Sequence, residues 1–190
     1  MFLLSRPDGK QIEEFLQARE NDRFSYPEVG STRKADAPSG YNVDHNRQSL
    51  STDDETFERA KQAVRDWKMF DFPWVRLCYP DTPIEVGRTV AVVIKHFGFF
   101  SINATRIVYT IDEPKRFGFA YGTLTEHGEI GEERFSVEIS ESGDVWYDLY
   151  AFSRPSSLFA RLGYPLTRYL QKRFAVDSKS AMLDAVAGLR

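Results

Sequence analysis

Hydrophobic and polar positions alternate most cleanly in the second half of the chain. Phe135, Val137 and Ile139 interleave with Arg134, Ser136 and Glu138, the period of two that gives a strand one dry face and one wet face. Runs rich in β-branched and aromatic residues surround this one, and together they predict strands over 74–79, 88–97, 101–111, 115–122, 132–140 and 144–153. Turn residues fill the gaps: Asp81-Thr82-Pro83, Gly98, Asp112-Glu113-Pro114, Glu126-His127-Gly128 and Ser142-Gly143-Asp144. Gaps this short favour antiparallel neighbours, since a parallel crossover needs about a dozen residues or more. The runs therefore read as an antiparallel meander.

Helical periodicity brackets the meander. Asp8 and Gln11 form a start signal ahead of Ile12, Phe15 and Leu16. Thr52 and Glu55 make a capping box, and Phe57, Ala60, Val64 and Trp67 then recur at helical spacing, predicting an amphipathic helix over 53–68 that Pro73 ends. Beyond Pro155, Leu158, Leu162, Leu166, Leu170 and Phe174 fall at i+4 steps, with Met182 and Val186 continuing the face. Pro165 suits a first helical turn, so the helix kinks or restarts there. Residues 21–52 are polar and irregular, with room for a short strand near Tyr41–Leu50.

The fold class is α+β: an antiparallel curved sheet of six or more strands wrapping a long C-terminal helix. This element order resembles the helix-grip arrangement of START-like and Bet v 1-like proteins. The resemblance implies a pocket, because a straight helix cannot fill a curved sheet along its whole length. Phe117, Phe119, Tyr121, Tyr147, Leu166 and Leu170 are the expected lining, with Arg106, Tyr121 and His127 as polar groups that fix orientation. Alternation puts Glu133 on the inward face of its strand, and Arg106 shares a face with Ala104 and Val108. A buried Arg106–Glu133 pair, acting as a polar anchor or as a strut, is the expectation.

Several segments are similar to one family in particular. They include Phe117-Gly118-Phe119-Ala120-Tyr121-Gly122-Thr123-Leu124, Gly131-Glu132-Glu133-Arg134-Phe135, Ala151-Phe152-Ser153-Arg154-Pro155 and Gln171-Lys172-Arg173-Phe174. Together with Trp67-Lys68-Met69-Phe70, Arg106-Ile107-Val108-Tyr109 and Gly163-Tyr164-Pro165, they resemble the family catalogued as domain of unknown function nineteen-ninety. The likeness spans nearly the whole chain and implies kinship without an activity.

Composition narrows the classes. One domain over 1–190 accommodates the length. A net charge of −3 argues against a general affinity for nucleic acid. From Arg154 to Arg190, seven Lys or Arg face two Asp, a balance of +5 that leaves −8 elsewhere. The C-terminal helix carries Arg161, Arg168, Lys172, Arg173 and Lys179. These form either a weak route to anionic lipid headgroups or a face whose charges pair with the acidic remainder, and the core's need for the apolar face favours the second. The single cysteine, Cys78, permits no internal disulfide and reads as a small buried residue. The start of the chain lacks a basic signal region, and no apolar run approaches the roughly 18 residues of a membrane span. A cytoplasmic setting follows as the expectation.

Candidate chemistry is sparse. His127 lies near Glu126, Glu129, Glu132 and Glu133, as a general base oriented by a carboxylate or as a solvated polar turn. His45, His96 and His127 are scattered, so neither metal nor cofactor is expected. Gly118, Gly122, Gly128 and Gly131 do not lead into a helix and suit a bent sheet better than a phosphate loop. The leading expectation is a binding domain for a small apolar or amphipathic ligand. The alternatives are an enzyme using His127 or Asp148 at the same pocket, and an interaction domain with a filled core.

Overall fold

In the computed structural model, residues 1–52, 54–125, 129–156 and 163–188 are described. Helix α1 (Gly9–Gln17) starts at the capping box expected of Asp8 and Gln11, with the Gln11 N–H donating to Asp8 at 2.9 Å and the Asp8 N–H to Gln11 at 3.0 Å. Helix α2 (Asp54–Arg65) buries Phe57, Ala60 and Val64 and is followed by a short 3-10 turn at Lys68–Phe70. Position 53, at the expected start of α2, lies outside the described residues.

The strands follow the predicted meander. They are β1 (Phe2–Leu3), β2 (Asn42–Ser51), β3 (Val75–Cys78), β4 (Thr89–Lys95), β5 (Phe100–Glu113), β6 (Arg116–Thr123), β7 (Glu129–Ile139) and β8 (Val145–Pro155). One antiparallel sheet runs β2-β8-β7-β6-β5-β4-β3, with β1 beside the start of β5. The six predicted strands keep sequential order, and β2 adds an edge on β8. Gly98, at φ +115°, turns the chain between β4 and β5 through backbone space that favours glycine.

Both faces of this sheet are covered. The concave face carries Phe119, Phe135, Val137 and Tyr147 against α2, the 3-10 turn and helix α3 (Tyr164–Val186). On the convex face, Ile12 and Phe15 of α1 pack on Ala91, Val93, Ile102 and Ala104. Next to them the segment from Tyr26 to Thr32 closes on Glu132 of β7, which is 2% exposed. Its carboxylate accepts from the Tyr26 hydroxyl at 2.7 Å, from the N–H of Gly30 at 2.7 Å and of Thr32 at 3.0 Å, and from the Thr32 hydroxyl. Arg134 donates to the Thr32 carbonyl at 2.6 Å and to Asp148 at 2.7 Å. Asp148 also meets His45 at 2.7 Å and Arg47 at 3.2 Å. Asp148 therefore serves as a convex-face partner of Arg134 and Arg47, on the side of the sheet away from α3.

Register decides the fate of Arg106. It sits opposite Gly122, which sits opposite Glu132, whereas Ile107 sits opposite Tyr121 and Tyr121 opposite Glu133. Arg106 thus belongs to the convex face and Glu133 to the concave face, and the expected pair does not form. The guanidinium instead donates to the carbonyls of Asp22 at 2.6 Å and of Arg19 and Glu20 at 2.9 Å, and to Thr89 at 3.0 Å. It holds the turn after α1 against β5.

Gly122 is required by this closure, since a Cβ there would stand 2.1 Å from the Tyr26 hydroxyl. Gly122→Ala is expected to lower stability by about 1–3 kcal/mol through overpacking. Tyr26→Phe removes the nearest clashing atom, so the double variant should be less destabilised than the two singles summed. Strict additivity in urea titrations would show that the two positions do not touch.

Candidate functional site

Helix α3 spans 23 residues and grips the sheet unevenly. Its buried seam consists of Ala175, Ser178, Ala181, Met182 and Val186, all in the second half. Small side chains there let the helix approach closely, and the Ser178 hydroxyl bonds the Tyr147 hydroxyl at 2.8 Å. At about 100° per residue, Leu166 points to the side of the helix opposite Ala175, and it is 42% exposed. The ladder of leucines at i+4 steps misleads because each step advances about 40° around the helix. Leu158 and Leu162 lie outside the described residues, as does His127.

The centre of the interface is filled. Phe119 stands 4.7 Å from Trp67 and 5.3 Å from Phe135, measured between ring centroids. Phe119 and Tyr147 are fully buried, and Phe117 is buried under the Arg65 guanidinium, 4.4 Å above its ring. These three expected lining residues are packed core, and the functional possibilities lie at the margins.

The inner margin is polar. The Tyr121 hydroxyl donates to Glu133 at 2.8 Å, and Gln171 donates to Glu129 at 2.7 Å and to Ser153 at 3.0 Å. Arg168 clamps Asp44 of β2 with both terminal nitrogens, one at 2.6 Å, and donates to Gln171 at 2.6 Å. Arg168 thus pairs with the acidic remainder of the protein. Burial pushes the Glu133 carboxyl up to about 7, opposed in part by the Tyr121 hydrogen bond and reinforced by the neighbouring Glu129 and Asp44 charges. Burial likewise pushes Glu129 up to about 7 against the hydrogen bond from Gln171 and the charge of Arg168. Tyr121 and Glu133 are crowded by protein yet only half-buried, the combination expected of groups on the wall of a recess.

The outer margin is an open groove of about 480 Å³ between α3 and the ends of β3 and β4. Phe72, Trp74, Phe97 and Leu170 supply its apolar walls, and Lys95, Arg173 and Asp177 its charges. The Trp74 indole donates to Asp177 at 2.6 Å, Arg173 approaches the same carboxylate at 3.5 Å, and its guanidinium lies 4.8 Å over the Trp74 ring. Phe174 links the two margins, 5.6 Å from Phe72, 5.5 Å from Phe70 and 6.3 Å from Phe135. An aromatic floor therefore runs from the groove toward Tyr121, whose ring is 6.2 Å from Phe70.

Of the residues expected to line a pocket, Leu170 is in the groove, and Tyr121 and Glu133 are at the inner margin. Trp74 and Arg173 were not singled out as lining residues. The one local signal for them is the i, i+4 spacing of Arg173 and Asp177, which says nothing about Trp74. Among the described residues, no group of three or more His, Cys, Asp or Glu could hold a metal ion, and no helix is long and apolar enough to cross a membrane.

A curled antiparallel sheet gripping a C-terminal helix defines a helix-grip protein. The chain belongs to the family described as Domain of unknown function (DUF1990), whose model matches residues 25–181. A UPF0548 protein of Dictyostelium discoideum is 36% identical over 207 residues, covering 98% of this chain and 96% of that one. A UPF0548 protein of Deinococcus radiodurans is 36% identical over 186 residues, covering 92% and 93%. Among solved structures, a hypothetical protein from Helicobacter pylori superposes with a TM-score of 0.55 at 14% identity, covering 89% of this chain and 97% of that one. The Bet v 1-like protein Ara h 8.0201 gives 0.50 at 13% identity, covering 78% and 99%. These likenesses establish a shared fold.

The inner carboxyl makes stability depend on pH. Between the ordinary carboxyl value of 4.5 and about 7, the folded protein keeps a proton on Glu133 that the unfolded chain has released. Stability is therefore lost as pH rises through that window. At about 1.4 kcal/mol per pH unit, the effect of this one group reaches up to about 3 kcal/mol. Glu133→Gln keeps an acceptor for Tyr121 and removes the charge, so the variant should gain on the wild type between pH 4.5 and 8 in urea titrations. A difference that stays constant with pH would show that Glu133 is solvated.

Proposed function

We propose that this protein binds a small amphipathic molecule between the sheet and α3, admitted through the groove beside Trp74. The carrying observation is the groove itself. At about 480 Å³ it falls within the roughly 300–1,000 Å³ of small-ligand sites, and it combines apolar walls with a few converging polar groups. The apolar body of the ligand lies along Phe72, Leu170 and Phe174, and Tyr121 and Glu133 wait at the inner end. Burying a few hundred Å² at about 25 cal/mol per Å² supports affinity on the order of micromolar once association costs are met.

A second reading has one observation in its favour. A carboxyl held near 7 and hydrogen-bonded to a tyrosine is suited to proton transfer at neutral pH. An enzyme would then act on a molecule that passes Phe174 to reach Glu133.

Native mass spectrometry of the purified protein should show a co-purifying small molecule. A thermal-shift panel of fatty acids, isoprenoids and sterols should contain at least one compound that adds about 2.7 kcal/mol at 100 times its dissociation constant. Leu170→Glu places a charge on the groove wall and should abolish that shift while the ligand-free protein still unfolds cooperatively, because Leu170 is only half-buried at the rim. A flat panel and a clean mass spectrum would remove the ligand-binding reading. Conversion of a panel compound, lost in Glu133→Gln, would establish the enzyme.

A further inference from the structure

We infer that the groove selects its ligand by an anionic head, a carboxylate or phosphate monoester held at Arg173 and Lys95, with the apolar tail directed inward past Phe174. This rests on the ligand-binding reading above and adds a charge and a direction to it.

The argument starts from the charges that line the groove. Lys95 and Arg173 face a single acid, Asp177. Asp177 already accepts from the Trp74 indole and meets the Nε of Arg173. Among the described residues, Lys95 forms no ion pair, and the terminal nitrogens of Arg173 make no hydrogen bond. Arg173 lies over Trp74, 4.8 Å from its ring centroid, with Nε 3.5 Å from Asp177, so its rotamer is restrained before any ligand arrives. A guanidinium so held offers two terminal amino groups to two oxygens of one head group, the fork geometry in which arginine surpasses lysine. Lys95, exposed at the end of β4, lines the same groove.

The inner margin gathers acids in place of free cations. Glu129, Glu133 and Asp44 gather there around Arg168, which is already bound to Asp44. An anionic head placed inside would meet these carboxyls, and the guanidinium beside them is already taken up by Asp44 and Gln171. Between the two margins lie the packed side chains of Phe72, Phe174 and Leu170, among which a charged head would lose its water without compensation. An alkyl or isoprenoid tail that parts these side chains meets no such penalty. The separation of charge thus orients an amphiphile head-outward.

The test compares four probes of one chain length, each below its micelle concentration: decanoate, decyl phosphate, decanol and decylamine. Binding is read from the quenching of tryptophan emission in the full chain at low ionic strength. Decanoate or decyl phosphate should bind at least about tenfold more tightly than decanol, the equivalent of one charge-assisted hydrogen bond. Arg173→Gln and Lys95→Gln should each bring the anionic probe toward the affinity of decanol and leave decanol itself unchanged. Raising the salt should weaken the anionic probes alone. The ratio of decanoate to decyl phosphate distinguishes the two head groups. Equal or tighter binding of decanol or decylamine overturns the anionic head while the groove remains a binding site. Failure of all four overturns both readings.

Discussion

The carboxylate of Glu132 sits in almost complete exclusion from water, and four donors from the Tyr26–Thr32 segment converge on it. A buried charge is tolerable only when its hydrogen-bonding capacity is met, so β7 and the N-terminal segment must fold together or not at all. Strand β7 then dictates the rest. Glu132 and Arg134 face the convex side and recruit the N-terminal segment, while Glu133 and Phe135 face the concave side and meet the helices. A sheet buried on both faces has no free surface on which to present a site, which leaves its ends and its junction with α3.

That junction is closed along one stripe of α3 and open along the stripe of Leu170, Arg173, Asp177 and Ser180 beside it. The seam of Ala175, Ser178 and Ala181 brings the second half of α3 close to the sheet. On the neighbouring stripe Leu170, Arg173 and Asp177 border the groove, while Phe174 packs on Phe70, Phe72 and Phe135. The same helix therefore seals the core and borders a cleft.

The alternation in β7 made the meander legible, and the capping box at Asp8 made α1 legible, because both are local patterns. The face taken by Arg106 was not legible. Ala104 packs under α1 and Ile107 in the concave core, so apolar residues occur on both faces of β5 and alternation cannot say which is which. Glu132 could be seen as one glutamate among several, but its donors lie about a hundred residues earlier in a stretch with no periodicity. The candidate site was legible only in part for the same reason. Tyr121, Glu133 and Leu170 stand on regular elements whose inward faces can be counted, while Trp74 and Lys95 come to the groove from strand ends whose approach to α3 is set by sheet curl.

The two halves of α3 are fastened by different forces, and this has a consequence for handling the protein. The second half is held by apolar contact, which salt strengthens and urea weakens. The first half adds to the apolar contacts of Leu170 and Phe174 the ties of Arg168 on Asp44 and of Gln171 on Glu129 and Ser153, both only partly shielded from water. An ion pair so placed is screened by salt. Ionic strength and denaturant are therefore separate handles on one helix: salt loosens its first turns while the core beneath its last turns tightens.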